Sequence, residues 1–402
     1  VKQAYAHARV NLFKDYVSTQ ELEQIRTRLM LQIDHWPTMM ARARILMNAN
    51  VPVHAPAAKQ LAADWQALVK ESYFGDDLAL ANKVQIAFEQ EPKLMLGLDM
   101  DIEALSYLKR AAMQDQLQQQ IQTDHGAPKP TALLVASLRA AHQLLDQPLI
   151  LEDPYALRIL GAKRAAHVSS NLAIFDDRVA RKVRTFVALR SHLAEQAWLQ
   201  AQRDGVQQYV ILGAGLDTYA LRHSPQIGSS IFEVDLPATQ AWKRQQLRQA
   251  QIAEPSQLRF VPMDFETNTL EQALADANFN FSAPAFFSWL GVSVYLDVDA
   301  IERTLSFVAQ RPTGSGVVFD FGVKPELLPL TEQLGVKSMS ANLAQQGEPW
   351  KSFFDPQLLA AHLLALGFQG MTDWGPASLH EAFLKNRNDR LQINNVFHIM
   401  HA

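Results

Sequence analysis

The sequence predicts an α/β protein: a doubly wound, parallel sheet preceded by an all-α bundle. Three observations carry this. Residues 1–123 show helical periodicity only. From residue 206 onward, short apolar runs alternate with helical stretches, the signature of a βαβ series. The first run, Tyr209–Leu212, is followed at once by Gly213 and Gly215, and the second, Ile231–Val234, ends in Asp235. A glycine turn after one strand and an acid at the tip of the next outline a nucleoside pocket at the carboxyl edge of an open sheet.

In the first segment, Ser18-Thr19-Gln20-Glu21 forms a capping box. Behind it Leu22, Ile25, Leu29, Ile33 and Trp36 fall on one helical stripe. Pro37 starts a second helix or kinks the first, and Pro52 and Pro56 mark a loop. Leu61, Trp65, Leu68 and Val69 make the next stripe. Asp76-Asp77 opens a helix with Leu80, Val84 and Phe88 facing in, and Ile102, Leu105 and Leu108 mark a last one. Tyr16 through Glu21, Trp36, and Pro56, Leu61, Ala62 and Trp65 with Gly75-Asp76 resemble the TipA-type antibiotic-binding domain. That resemblance implies a small globin-like bundle that encloses hydrophobic ligands. Trp36, Trp65, Met39, Met40 and Met47 are then candidate cavity residues, although Met and Trp at helical spacing more often fill a core.

Gln118–Gln120 lead into Asp124-His125-Gly126-Ala127-Pro128-Lys129-Pro130, a polar, proline-bearing linker over 124–130. Residues 131–402 form the second domain. Thr131–His142 reads as an apolar helix with Arg139 and His142 near its end, and Asp153-Pro154-Tyr155-Ala156 as the start of another. Arg181–Trp198 is a helix carrying Arg181, Lys182, Arg184 and Arg190.

Strands follow at Tyr209–Leu212, Ile231–Val234, Leu258–Pro262, Ala285–Leu290 and Gly316–Phe321, with helices at Thr239–Ile252 and Ala300–Gln310. Asn395–Met400 reads as a final strand. The glycine loop lacks the third glycine of a dinucleotide site: Thr218 stands there, and Asp217 sits inside the loop. A carboxylate there repels a pyrophosphate and suits S-adenosylmethionine (SAM), a sulfonium with an amino group. Asp235 is placed to accept both ribose hydroxyls, with Glu233 on the opposite side of the strand as the fallback. Asp264 and Phe265 close the third strand, Asp264 also fitting a helix N-cap.

Gly-Ala-Gly-Leu-Asp-Thr, Phe-Glu-Val-Asp-Leu-Pro with Lys243 downstream, and Val-Pro-Met-Asp-Phe resemble the leucine carboxyl methyltransferase family, closest to its bacterial O-methyltransferase branch. The resemblance runs roughly from Thr131 to Ala402. It implies a class I methyltransferase with a Rossmann-like sheet, SAM as cofactor, and an N-terminal lid made by the two helices before Arg181. It implies that Arg190 clasps the SAM carboxylate, for which a guanidinium offers a planar two-pronged donor, and that Gly213, Gly215, Asp235, Asp264 and Phe265 complete the cofactor site. Asp264 would meet the adenine amino group and Phe265 its ring. The family's acid near the end of the fourth strand is replaced by Leu290, which removes one polar contact. Gly347–Phe354 is expected to shape the acceptor pocket.

Composition sets the limits. The chain has 402 residues, 48% hydrophobic and 19% charged, with net charge −4, which gives no case for a nucleic-acid surface. It has no cysteine, which fits a reducing cytoplasm. No stretch reaches 18 uninterrupted apolar residues, so no membrane span is expected. The start has no signal-peptide apolar core, and Val1 in place of Met points to sequence upstream. His398 and His401, with no nearby acid, give no metal site. The expected activity is SAM-dependent O-methylation of a carboxylate or hydroxyl on a small, hydrophobic metabolite. A hydroxyl needs a base, for which His192 and Tyr295 are the candidates. The alternative is a ligand-sequestering protein whose helical domain binds a hydrophobic compound; Leu290 favours it, and the set Gly213, Gly215, Asp235 and Arg190 argues against it.

Overall fold

The computed structural model describes residues 2–49, 51–53, 55–90, 94, 101, 103–105, 107–108, 111–112, 128–223, 228–389 and 391–402. The chain divides into two compact units, Val1–His125 and Gly126–Ala402. Gln118–Gln120, residues 124–127 of the expected linker, and Ile102 lie outside the described residues.

The first unit contains α1 (Lys2–Asn11), α2 (Thr19–Gln32), α3 (His35–Asn48), α4 (Pro56–Tyr73) and α5 (Leu78–Gln90). Ser18 caps α2 in a full capping box: its hydroxyl accepts from the Glu21 amide, and the Glu21 carboxylate accepts from the Ser18 amide. Pro37 falls in the first turn of α3 and Pro56 opens α4, where a missing N–H costs nothing. The Asp77 carboxylate accepts from the Leu80 amide at the start of α5. Ile25, Leu29, Tyr73, Leu80 and Val84 pack in one apolar cluster; Met39, Met40, Leu61 and Leu68 pack in another, with Trp36, Met47 and Trp65 against it. These side chains fill the core of the helices.

The second unit is built on a seven-stranded sheet in the order β3-β2-β1-β4-β5-β7-β6. The strands are β1 (Gln208–Leu212), β2 (Ser230–Asp235), β3 (Leu258–Pro262), β4 (Ala285–Trp289), β5 (Gly316–Gly322), β6 (Thr372–Trp374) and β7 (Phe397–His401). β1 to β5 are parallel, with Leu212 opposite both Val234 and Trp289. The expectation of a wholly parallel sheet needs one correction: β7 inserts antiparallel between β5 and β6. β6 was not foreseen from the sequence, and β4 stops one residue before Leu290.

Side chains alternate as a pleated strand requires. Val210 and Leu212 join Val234, Phe287 and Phe319 in the cluster on one face; Tyr209 and Ile211 join Ile231, Phe286 and Trp198 on the other. The helices Val298–Ala309 and Pro356–Leu366 cover the first face, and the helix Arg178–Arg203 covers the second. Trp198 stacks on Tyr209 with ring centroids 4.7 Å apart. A third cluster, including Leu133, Leu138, Leu160 and Trp242, seats the helix Pro130–Leu145. Asp153-Pro154 does not begin an α-helix: a turn follows, then a 3-10 turn at Arg158–Leu160. Among the described residues no helix is long and apolar enough to cross a membrane.

Candidate active site

The strand order places the carboxyl ends of β3, β2, β1, β4 and β5 side by side. A cavity of about 680 Å³ opens over them. At the end of β1 the chain turns sharply: the amides of Gly213 and Ala214 both donate to the Val234 carbonyl, at 2.8 and 3.0 Å. Gly213 has φ +65°, and a Cβ there would overlap the Val292 side chain. Gly215 has φ +51°, and the nearest atom to a Cβ would lie 3.9 Å away. The first glycine is thus required by packing, whereas the second leaves open space beside its backbone.

Asp235, at the tip of β2, holds this loop. Its Oδ2 accepts from the Gly215 amide at 2.6 Å and its Oδ1 from the Leu236 amide at 2.7 Å. Each oxygen keeps a further acceptor position, so hydroxyl binding remains open to it. Burial raises the Asp235 carboxyl above its ordinary value, against these two backbone hydrogen bonds. Asp217 accepts from the Tyr219 amide at 2.7 Å, and Thr218 donates to Asp153 at 2.7 Å. Arg139, from the helix Pro130–Leu145, pairs with the same Asp153 and donates to the Leu216 carbonyl. Glu233, expected on the opposite side of β2, stands two residues before Asp235 and so shares its side by alternation; it does not line the cavity but pairs with the buried Lys243 at 2.5 Å.

Asp264 and Phe265 line the cavity beyond β3. Asp264 is not a helix cap: its carboxylate accepts from the Glu266 amide at 2.9 Å, and Thr269 caps the helix that follows. Phe265 lies over Trp289, ring centroids 6.3 Å apart. Arg190 reaches the cavity from the helix Arg178–Arg203. It is buried, its Nη1 donates to Asp320 at 2.6 Å, and its Nε is buried without a partner. All six residues expected at the cofactor, Arg190, Gly213, Gly215, Asp235, Asp264 and Phe265, line this one cavity.

Two expectations need correction. His192 does not line the cavity; its ring packs against Phe383 at 5.6 Å, and burial lowers its pKa. His398 does have a nearby acid, since its Nδ1 lies 2.9 Å from Asp373 on β6. Among the described residues no three His, Asp or Glu side chains come together as a metal site. Tyr295 lines the cavity, and burial raises its phenol above the ordinary value. Glu348 and Trp350, from the stretch Gly347–Phe354, line it too. Asp320 is the residue the sequence reading missed. Its signal was a lone acid within the apolar run Gly316–Gly322.

Five parallel strands extended by an antiparallel β7 between β5 and β6, with a glycine turn, an acid on the next strand and a cavity over the strand tips, fit a nucleoside-cofactor enzyme of the methyltransferase class. A model of the leucine carboxyl methyltransferase family matches residues 132–309. A Bacillus subtilis protein named "Putative S-adenosyl-L-methionine-dependent methyltransferase YktD" is 32% identical over 295 residues, covering 68% of this chain and 96% of its own length. A Mycobacterium marinum relative with the same description is 31% identical over 206 residues, 48% of this chain and 66% of that one. A methyltransferase-like crystal structure from Thermobifida fusca aligns with a TM-score of 0.44 at 17% identity, over 69% of this chain and 95% of that one. The chain belongs to the leucine carboxyl methyltransferase family. It is an enzyme that uses SAM.

Proposed function

We propose that the enzyme methylates a carboxylate oxygen of a small, hydrophobic acid. The donor set fits the cofactor: an open approach at Gly215, an acceptor at Asp235, and a buried guanidinium nitrogen of Arg190 with no partner. In this reading Asp264 and Phe265 meet the adenine, Asp235 the ribose, and Arg190 the carboxylate of the methionine end. Bound SAM would supply an activated methyl group on a sulfonium, and a carboxylate acceptor would need no proton removed by the chain. The chain's part is to align the acceptor and exclude water.

The observation that carries this reading is that, among the described residues, no histidine lines the cavity and every acid lining it already has a hydrogen-bond or ion-pair partner. His192 packs elsewhere, and Tyr295 is held protonated by burial. The acids are engaged: Asp217 with Tyr219, Asp235 with Gly215 and Leu236, Asp264 with Glu266, Asp320 with Arg190, Glu332 with Asn395, and Glu348 with Thr131. Glu266 pairs with Lys351. A carboxylate needs no base, whereas an alcohol does. Lys129 and Lys182 add positive charge to the wall. Leu134, Leu138, Val183 and Met339 form an apolar side for the rest of the acceptor.

The alternative, in which a globin-like, TipA-type helical unit sequesters a hydrophobic compound, has less support. Met39 and Met40 are buried in its core, and Trp36 and Trp65 pack against it. The test begins with calorimetry of SAM on the wild type and on Asp235→Ala, where affinity should fall at least about tenfold with the lost charge-assisted contacts. Hydrophobic acids and their matched alcohols are then offered as acceptors. Esters should form from the acids, and Tyr295→Phe should keep kcat within about threefold, because a phenol that moves no proton adds little to the barrier. Methylation of the alcohols, abolished by Tyr295→Phe, would overturn the carboxylate reading.

A further inference from the structure

We propose that Asp320 is the receptor for the ammonium of the cofactor's methionine end, forming with Arg190 a clamp for an α-amino acid. This rests on placing that end at Arg190, as above. The ammonium and carboxylate of an amino acid sit on one carbon, so their receptors must adjoin. Asp320 and Arg190 do: Oδ2 of Asp320 lies 2.6 Å from Nη1 of Arg190. Asp320 is 3% exposed and lines the cavity. Its Oδ1 accepts from the Gly291 amide at 2.6 Å, which orients the carboxylate. These two bonds use half of its roughly four acceptor positions. Arg190 keeps Nε buried and unpartnered for the ligand's carboxylate.

Gly291 makes the clamp possible. Its φ is +72°, and a Cβ there would sit 2.7 Å from Nη2 of Arg190. Only glycine lets the guanidinium lie against the loop after β4. That loop supplies no acid of its own, since Leu290 packs into the apolar cluster with Phe186 and Ile211. The other acids are placed otherwise. Asp235 stands at the tip of β2, separated from β5 by two strands, β1 and β4. Asp217 holds the Tyr219 amide and lies 4.0 Å from Arg139. The ligand would thus span the strand tips from Asp264 beyond β3 to Asp320 on β5.

Calorimetry on the full chain tests this with three probes: S-adenosylhomocysteine, its analogue with the amino group replaced by hydrogen, and methylthioadenosine, which lacks the amino-acid end. The wild type should bind S-adenosylhomocysteine at least tenfold tighter than the deaminated analogue. Asp320→Asn should lose about ten- to hundredfold for S-adenosylhomocysteine, as expected for a charge-assisted hydrogen bond, and less than threefold for the other two probes. An equal loss with the deaminated analogue would show that Asp320 acts only through Arg190 or the fold, and would overturn the proposal. So would no loss at all. Should Asp320→Asn fail to fold, a wild-type preference below threefold for the amino group sinks it directly. Arg190→Gln separates the two levels: if it is silent with S-adenosylhomocysteine, the placement of the methionine end fails, and if Asp320→Asn alone is silent, only this inference fails.

Discussion

Gly213 carries two constraints at one position. Its φ of +65° is strained for any L side chain, and a Cβ would enter the space of Val292. Gly213→Ala should therefore destabilise the protein by about 2–4 kcal/mol, combining left-handed strain with overpacking, and weaken SAM binding; urea denaturation and calorimetry read the two effects. Gly215→Ala should cost less in packing, since nothing stands closer than 3.9 Å. Glu233 gives a pH-dependent prediction. Burial raises its carboxyl to about 7 from an ordinary 4.5, although Lys243 opposes the shift. A raised folded pKa contributes stability that is full below 4.5 and is lost as pH rises through about 7. Glu233→Gln removes that dependence, so its stability relative to the wild type should improve from pH 5 to about pH 7 and level off above it, as thermal melts would show. At this scale the sequence was partly readable. Asp235 was readable as the acid at the tip of the second apolar run, whereas alternation, which puts Glu233 on the same side two residues earlier, did not tell that Glu233 pairs with Lys243 away from the cavity. Asp320 was hidden because its partner Arg190 is 130 residues away, and no local pattern signals a pairing of that range.

The helix Pro130–Leu145 is apolar, yet it is fastened by buried polar groups. His142 is fully buried: its Nδ1 lies 2.6 Å from Asp146, and its Nε2 accepts from the amides of Ile150 and Leu151 at 3.1 and 3.2 Å. Those acceptor bonds assign the proton to Nδ1. Asp146 in turn accepts from both prongs of Arg184 on the helix Arg178–Arg203, at 2.7 and 2.9 Å. His142→Ala would leave two backbone N–H groups unpaired and should cost about 2–5 kcal/mol. The helix also carries Arg139, which anchors the Leu216 carbonyl of the glycine loop, so SAM affinity should fall with stability. A substitution that lowered the melting temperature without touching SAM affinity would separate this helix from the cofactor site. The five parallel strands were legible because each is an apolar run bounded by turn residues. β6 was not, being three residues with two exposed positions, and Asp153-Pro154 misled because a proline that suits a helix start also suits a turn.

At the scale of the molecule, the order of β1 to β5 follows from right-handed crossovers and strand–helix alternation. The antiparallel insertion of β7 does not, because a C-terminal strand can add at either edge and only packing against β5 decides. The division into two units bears directly on where activity resides. Among the described residues, all those lining the cavity fall between Lys129 and Phe397. Among the described residues the apolar clusters respect the same division: three lie within Gly126–Ala402 and two within Val1–His125. The Bacillus subtilis relative is matched over 96% of its length by 68% of this chain, close to the share that Gly126–Ala402 represents. A fragment of residues 126–402 should then fold alone with one cooperative transition and bind SAM within about threefold of the full chain, since affinity follows the residues that touch the ligand. Calorimetry on the fragment checks this. A fragment that folds but binds SAM more than tenfold weaker would make the first unit part of the cofactor site. Equal SAM binding with lost turnover on acids that the full chain methylates would assign the first unit to acceptor capture, reviving for that unit a ligand role that its filled core does not suggest.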